Sequence, residues 1–337
     1  MKYDAIIVGG SFAGLAVASE IKGKVLIIDR KEIGSTVTSA CGTRYDLAKG
    51  ISQKSILQKF NIMTLNTKSR EHKVKLKYPY CTIDYEAFCK DWMKKINADF
   101  IKANATGYKK GKGVITQNGI YNAKCIIDCS GWNAVLASSL KKNFVNKKMM
   151  SFGIETELKY KDDTLRFFAN SGIVEKGAAW IFPISNKSRF GVASYVGNTK
   201  ILNNLNKFVK RYKLKPKKVY GGYFPYGLRE CIVENIFLVG DSACQTIPLT
   251  GEGIRIAINY GKICGKIIQK VIDNKITLEQ GLSTYKEIGN KNKKYYNLIL
   301  KAQNMFVNMN DNTIERFAKL LDNRMLMRAI EEKYQKL

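Results

Sequence analysis

The chain lacks most of the devices that announce a particular chemistry. Its eight cysteines (Cys41, Cys81, Cys89, Cys125, Cys129, Cys231, Cys244 and Cys264) contain no C-x-x-C pair, so zinc ribbons and thioredoxin-type motifs find no support and no metal site is expected. The single histidine, His72, falls in Ser69-Arg70-Glu71-His72, read as a polar turn and a poor place for a proton donor. Nothing resembles a secretory signal, because Asp4 and the glycines interrupt the N-terminal apolar run. The longest uncharged stretch, residues 5–19, is too short to span a bilayer. These thiols therefore suit a reducing cytoplasm. Internal repeats and low-complexity tracts are absent as well. Acids are scarce: 28 Asp+Glu against 57 Lys+Arg leave a net charge of +29. Such a surface attracts anionic lipid, nucleic acid or acidic protein. An AT-rich coding sequence would produce the same lysine excess, and charge alone does not choose.

What is present is 337 residues, 45% of them apolar, enough for two domains or one nucleotide domain with an inserted partner. The chain is organised around its first thirty residues. Ala5-Ile6-Ile7-Val8 reads as a strand that stops at Gly9-Gly10-Ser11-Phe12-Ala13-Gly14. A helix-compatible stretch follows to Gly23, then a second strand, Val25-Leu26-Ile27-Ile28, closed by Asp29 and Arg30. This is one βαβ unit. Gly9 permits the turn out of the strand and Gly14 lets the helix lie on the sheet, while the helix start offers N–H groups to a pyrophosphate. Asp29 stands where a carboxylate accepts from an adenosine ribose. Ser11 replaces the second glycine of G-x-G-x-x-G.

Beyond this unit, 60–65 and 74–80 read as strands, Asp84 as the cap of a helix reaching about Ile96 with Phe88 and Trp92 on one face, and 99–104, 113–117 and 120–127 as short strands. The last of these ends in the polar break Asp128-Cys129-Ser130-Gly131-Trp132. Residues 151–158, 165–168, 178–184 and 190–196 alternate as an antiparallel sheet does, and 205–212 form a helix. Ile236-Phe237-Leu238-Val239 is a buried parallel strand ending in Gly240-Asp241. Pro248-Leu249-Thr250-Gly251-Glu252-Gly253 then leads into a helix from Ile254, on which Gly261 and Gly265 allow close packing. From Thr277 onward the chain is helical and lysine-rich.

Glycine loop, Asp128–Gly131 break and Gly240-Asp241 strand end stand in an order that resembles FAD-dependent reductases and hydroxylases. Within that group the chain resembles the archaeal geranylgeranyl reductase family. Residues 240–254, Gly-Asp-Ser-Ala-Cys-Gln-Thr-Ile-Pro-Leu-Thr-Gly-Glu-Gly-Ile, are similar to the family's G-D-A-A-G-Q-x-x-P-L-T-G-G-G-I, with Cys244 and Glu252 in place of glycines. Trp180-Ile181-Phe182-Pro183 with Gly191-Val192-Ala193 resembles its W-x-F-P and G-x-G segments, and Cys41-Gly42 its Cys-Gly element.

The resemblance implies a glutathione-reductase-like FAD-binding Rossmann fold, α/β in class, with an inserted antiparallel β-sheet substrate domain and C-terminal helices. It implies FAD held by Gly9, Gly10, Ser11, Phe12, Ala13, Gly14, Asp29, Arg30, Cys41, Gly42, Ala105, Asp128, Gly131, Gly240, Asp241, Pro248, Gly251, Glu252, Gly253 and Ile254. Trp132, Trp180, Phe182 and Pro183 would line a substrate tunnel. The corresponding domains are 1–58, 83–148 and 225–275 for FAD, 59–82 and 149–224 for substrate, and 276–337 as a helical segment. Reduced FAD would deliver hydride to an isolated prenyl double bond, with a proton added at the other carbon. Cys41, reached through the Gly34-Ser35-Thr36 loop, is the first candidate for that donor, although a buried inert thiol reads the same way. A C20 prenyl chain carries about 16 kcal/mol of gross transfer energy at about 0.8 kcal/mol per carbon, so its enzyme is expected at an anionic membrane surface, peripherally on the cytoplasmic face. The electron donor would be an acidic ferredoxin or NAD(P)H. A flavin monooxygenase, a prenyl cyclase and a tRNA-modifying flavoprotein remain open as alternatives, nucleic acid being the less favoured partner.

Overall fold

The computed structural model describes residues 2–35 and 39–335; Thr36 of the expected loop lies outside them. In chain order they form β1 (Tyr3–Val8), α1 (Phe12–Ala18), β2 (Val25–Asp29), β3 (Gly42–Arg44), α2 (Tyr45–Ser52), β4 (Ile56–Asn66), β5 (Glu71–Ile83) and α3 (Tyr85–Met93). Next come β6 (Ala98–Lys102), β7 (Ala105–Lys109), β8 (Gly113–Thr116), β9 (Gly119–Tyr121), β10 (Ala123–Asp128), α4 (Val135–Leu140), β11 (Met150–Leu158) and β12 (Leu165–Phe168). The remainder is β13 (Gly177–Ile184), β14 (Lys187–Ser194), α5 (Leu202–Lys210), β15 (Val219–Pro225), β16 (Ile232–Val233), β17 (Ile236–Leu238), α6 (Ile254–Ile272), α7 (Leu278–Lys291), α8 (Lys293–Phe306), α9 (Asp311–Ala318) and α10 (Arg324–Gln335). Two compact units divide the chain: Met1–Thr36, Glu86–Lys147 and Pro225–Leu298 form the first, and Val37–Tyr85, Lys148–Phe224 and Ile299–Leu337 the second.

The first unit is built on a six-stranded sheet in the order β16-β17-β10-β1-β2-β6. Its pairings are parallel except for the β16–β17 hairpin. The strands are apolar almost throughout because helices cover both faces of such a sheet; Ile6, Ile7, Leu26 and Ile27 have no exposed surface. Helix α6 lies against α1 at the two expected glycines. A Cβ on Gly261 would stand 2.6 Å from the Ala16 Cβ, and one on Gly265 2.4 Å from the Val17 carbonyl oxygen. Phe88 and Trp92 share a face of α3, rings 5.7 Å apart at 81°. The expected single strand 120–127 is two: β9 turns back on β8 in the small sheet β7-β8-β9, and β10 joins β1. Gly119, at φ +125°, makes that hairpin possible.

An eight-stranded sheet, β15-β11-β14-β13-β12-β4-β5-β3, dominates the second unit. Pairings β11–β14, β13–β14, β12–β13, β4–β5 and β3–β5 are antiparallel, and β12–β4 is parallel. Alternation gives the sheet two different faces. Ile154, Ile181, Phe190 and Val192 pack with Leu205, Phe208 and Val209 of α5 in one core. The residues between them on β11, β13 and β14 point the other way. His72 is not in a turn: β5 begins at Glu71, the turn is 67–70, and His72 is 2% exposed. Its Nε2 lies 3.4 Å from Glu315 Oε1, an acid of α9 that also accepts from Thr67.

Candidate functional site

In the first unit the glycine loop is held from three sides. Gly9 donates to the Ile28 carbonyl at 2.8 Å, and Cys129 donates to the Val8 carbonyl at 2.7 Å. A Cβ on Gly9 (φ +112°) would meet the Cys129 oxygen at 2.1 Å, and one on Gly14 the Gly9 oxygen at 1.9 Å. Both glycines are thus required by the turn itself. Ser11 is the N-cap residue of α1, and Phe12 and Ala13 open the helix. Asp29, half-buried at the end of β2, accepts the Gly10 N–H at 2.7 Å and the Lys31 N–H at 3.0 Å; Arg30 beside it is exposed.

The Gly240-Asp241 strand end forms a second turn. Gly240 sits at φ +69°, its N–H donating to Gln245 Oε1 at 2.8 Å. Asp241 accepts from the Thr246 hydroxyl at 2.9 Å, and burial holds its carboxyl above the usual range while Thr246 and Arg229 pull it back. Cys244 has φ +52°, the left-handed conformation glycine takes most readily, so this departure from the family motif costs about 1 kcal/mol of backbone strain. Arg229 Nε lies 2.6 Å from its Sγ. Leu249 (φ +63°) and Gly251 (φ +67°) bend the Pro248–Gly253 loop, with Gly253 the N-cap residue of α6 and Ile254 its first residue.

Two acids expected at a cofactor also have partners within the protein. Asp128 has no exposed surface. Its Oδ1 accepts from Ser130 N–H, Ser130 Oγ and Ser242 Oγ at 3.0, 2.6 and 3.1 Å, and its Oδ2 from the Leu136 and Ala137 N–H groups at 2.8 and 3.1 Å. It fastens the start of α4 and the 128–131 turn. The Glu252 side chain is 8% exposed and accepts from Arg255 Nε at 2.9 Å and Nη2 at 2.8 Å. Ala105 starts β7, buried against its hairpin partner. Gly131, at φ +81°, has open space where a Cβ would project, and Trp132 beside it is half-buried. A half-buried carboxylate at the end of β2, a glycine turn and a second acid at a parallel strand's carboxyl end form a donor set that fits a dinucleotide.

The second unit carries a separate cluster on the sheet face opposite α5. Trp180 pairs with Gly191 and Phe182 with Arg189. Glu155 pairs with Gly191, and Glu157 with Arg189. Trp180 covers Gly191, and Phe182 covers Gly42, where a Cβ would lie 2.7 Å from the ring. Pro183 is buried, and its carbonyl accepts from Thr82 at 2.6 Å. Arg189, 4% exposed, donates to Glu157 and to the Ala40 carbonyl, each at 3.0 Å. Cys41 is fully buried at φ +56°, its thiol 3.1 Å from the Ser39 carbonyl. Burial pushes that thiol up to about 12, with Arg189 pulling the other way, so it is a weaker acid than an ordinary cysteine. The first candidate for proton donor therefore has the surroundings of an inert thiol.

Sequence reasoning missed Glu155, Arg189, Arg229 and Arg255. A signal existed for the first: Glu155-Thr156-Glu157 puts two acids on one face of a strand paired on both sides, where unpaired charge is costly.

This architecture is the glutathione-reductase-like FAD-binding fold of FAD-dependent oxidoreductases. It superimposes on a geranylgeranyl bacteriochlorophyll reductase-like protein from Thermoplasma acidophilum with a TM-score of 0.86, at 19% identity, covering 99% of this chain and 96% of that one. A probable FAD-dependent monooxygenase from Pseudomonas aeruginosa follows the same fold with a TM-score of 0.68, at 12% identity, covering 98% and 99%. In sequence the chain is similar to digeranylgeranylglycerophospholipid reductases over most of its length. The Methanosphaera stadtmanae reductase 3 is 26% identical over 95% of this chain and 91% of its own. The Methanococcus vannielii reductase is 30% identical over 174 residues, 48% of this chain. The chain spans 44% and 46% of the lengths of two Methanococcus relatives it matches. No family model matches.

Proposed function

We propose that the protein is an FAD-dependent reductase that saturates isolated double bonds in the prenyl chains of a glycerophospholipid precursor. The observation carrying this reading is the likeness to named digeranylgeranylglycerophospholipid reductases across 95% of the chain. FAD, when bound, supplies the hydride. In the first unit, the 9–14 loop holds the pyrophosphate, Asp29 the adenosine ribose and Asp241 a hydroxyl of the ribityl chain. Ser11, Phe12, Arg30, Gly131, Pro248, Gly251 and Gly253 complete that cradle. In the second unit Trp180, Phe182 and Pro183 present apolar surface to a prenyl chain and exclude water, which an unactivated alkene requires. Cys41 and Gly42 shape that surface.

Two partners belong to the same reading: an acidic ferredoxin or NAD(P)H as electron donor, and an anionic membrane surface. Among the described residues no helix is long and apolar enough to cross a membrane. The charge of +29 is the attraction instead, each basic residue at the surface contributing about 1 kcal/mol. Vesicles containing phosphatidylserine should bind the protein at low salt and release it as salt rises; binding indifferent to salt would remove the membrane from the picture.

The deciding experiment is mass spectrometry of a geranylgeranylated glycerol lipid incubated with the dithionite-reduced, flavin-loaded protein. Gain of two hydrogens per reduced bond supports the reading. An unchanged lipid, with flavin reoxidised only by oxygen, points to the monooxygenases that share the fold.

A further inference from the structure

With 57 basic residues and 28 acids, many lysines of this chain stand without a carboxylate, and a solvated lysine needs none. Several of them around one concavity are another matter, because like charges held together repel. The second unit has such a place. A cleft of about 400 Å³ is lined by Glu157, Leu158 and Lys159 at the end of β11, by Asn186 and Lys187 at the β13–β14 turn, and by Lys217 just before β15. Small-molecule sites occupy roughly 300–1,000 Å³, so the cleft is large enough to be one. None of its three ammonium groups has an ion pair among the described residues, whereas Lys90, Lys141 and Lys275 each hold a carboxylate.

The one acid of the cleft does not neutralise them. Glu157 accepts at Oε1 from Arg189 Nε at 3.0 Å and from the Tyr220 hydroxyl at 3.4 Å. That carboxylate is already matched by a buried cation, and the three lysines remain in surplus. The strand ladder shows what lies next to the surplus. Trp180 and Gly191, Phe182 and Arg189, and Ile184 and Lys187 are successive pairs on one face of β13 and β14. Glu155 and Glu157 continue the first two of these across β11, and Glu155 accepts the Trp180 indole N–H at 3.1 Å. From Gly191 to Lys187 is four residues at about 3.3 Å each, so this face turns from aromatic to basic over about 13 Å. A cleft admits a small anion more readily than the convex acidic surface of another protein. Ammonium groups, compact charges with three rotatable donors each, suit the oxygens of a phosphate.

We propose that this cleft is a phosphate-ester site, in which Lys159, Lys187 and Lys217 donate to the oxygens of one phosphate group. Two sources share that chemistry: a soluble phosphate ester and the headgroup of a glycerophospholipid. The second source rests on the function proposed above, and there the cleft holds the polar end of the lipid while its prenyl chain is directed toward Trp180 and Phe182.

Calorimetric titration of the full chain at low salt tests it, with glycerol phosphate as the soluble probe. Each of Lys159→Gln, Lys187→Gln and Lys217→Gln should weaken binding about threefold to tenfold, and the three together about 30-fold or more. Lys200→Gln, Lys207→Gln and Lys210→Gln combined remove the same charge from exposed positions outside the cleft, on and just before α5. That control should bind glycerol phosphate as the wild type does, and all variants should melt at the wild-type temperature. A wild type that shows no saturable binding overturns the proposal. So does an equal effect of the two triple variants, because the overall charge of +29 would then be the whole attraction. Co-sedimentation with phosphatidylglycerol vesicles separates the sources. If the cleft variant loses the vesicles as well and the control keeps them, the ligand is a lipid headgroup; if it loses glycerol phosphate alone, the ligand is a soluble ester. Reduction of a geranylgeranylated glycerol lipid is measured apart. A wild type that binds glycerol phosphate in the cleft yet reduces no prenyl alkene would remove the proposed function and leave the site standing.

Discussion

Gly191 is overlaid by the indole of Trp180: a Cβ on the glycine would stand 2.0 Å from the ring carbon Cε2. The pair sits directly opposite across β13 and β14, so neither strand can slide to relieve the contact without breaking its ladder. Gly191→Ala must therefore displace the indole, and with it the N–H that Glu155 accepts. A loss of about 1–3 kcal/mol in urea unfolding and a shift in tryptophan emission are expected. Unchanged emission would mean the ring is free to move.

Glu155 also makes stability depend on pH. The folded protein holds this proton up to about 7, whereas the free carboxyl releases it near 4.5. Between those values the folded state binds the proton and the unfolded chain does not, so the contribution is fully present below 4.5 and is lost as pH rises through 7. The span corresponds to about 3 kcal/mol as an upper figure. Urea titrations at about pH 5 and pH 8.5 should show wild type losing stability relative to Glu155→Gln at the higher pH. Parallel behaviour of the two proteins would refute a neutral Glu155.

Three aspartates at strand ends should behave differently when cut back to alanine. Asp29→Ala and Asp241→Ala should lower flavin retention, each removing a hydrogen bond of roughly 0.5–3 kcal/mol. The visible-to-ultraviolet absorbance ratio of the purified protein reports it. Asp128→Ala should instead lower thermal stability, by about 3 kcal/mol or more, because donors from Ser130, Ser242, Leu136 and Ala137 lose their acceptor together. A stable Asp128→Ala protein that has lost only its flavin would return Asp128 to the cofactor.

The buried Glu252–Arg255 pair offers a double-mutant cycle. Glu252→Gly restores the residue of the family motif, yet it leaves the Arg255 guanidinium, 2% exposed, without that carboxylate. It should cost about 3–5 kcal/mol in this protein, as should Arg255→Leu alone, while the double variant should lose much less than the sum. Additive losses would show that the two side chains act separately.

How much of this was legible in the residues depended on how local each cause is. The opening βαβ unit and the Gly240-Asp241 turn are written in contiguous residues, and each stands where the pattern puts it; Gly261 and Gly265 announced a close helix contact without naming α1 as its partner. Asp128 was visible as a strand-end acid, but its partners come from α4 and from Ser242, 114 positions away, so its structural employment was not. His72 looked like a turn residue because its burying partner, Glu315, belongs to the last tenth of the chain. Alternation along β11 and β14 separated two faces without saying which would be covered. That is why Glu155 and Arg189 went unread while Trp180 and Phe182 were picked out by motif.

The strand order of the first unit has a consequence for how the protein is made. β1 is translated before either neighbour and ends in the interior of its sheet, between β2 and β10. Until residue 128 has been translated, one whole edge of an apolar strand has nothing to pair with. Helix α1 likewise waits for Gly261 and Gly265 before its outer side is covered. The nascent chain must carry this unfinished surface until those later residues are made, a template for self-association. Slow translation or premature release should thus be punished in the first unit, and a holding chaperone should find its foothold on residues 3–28.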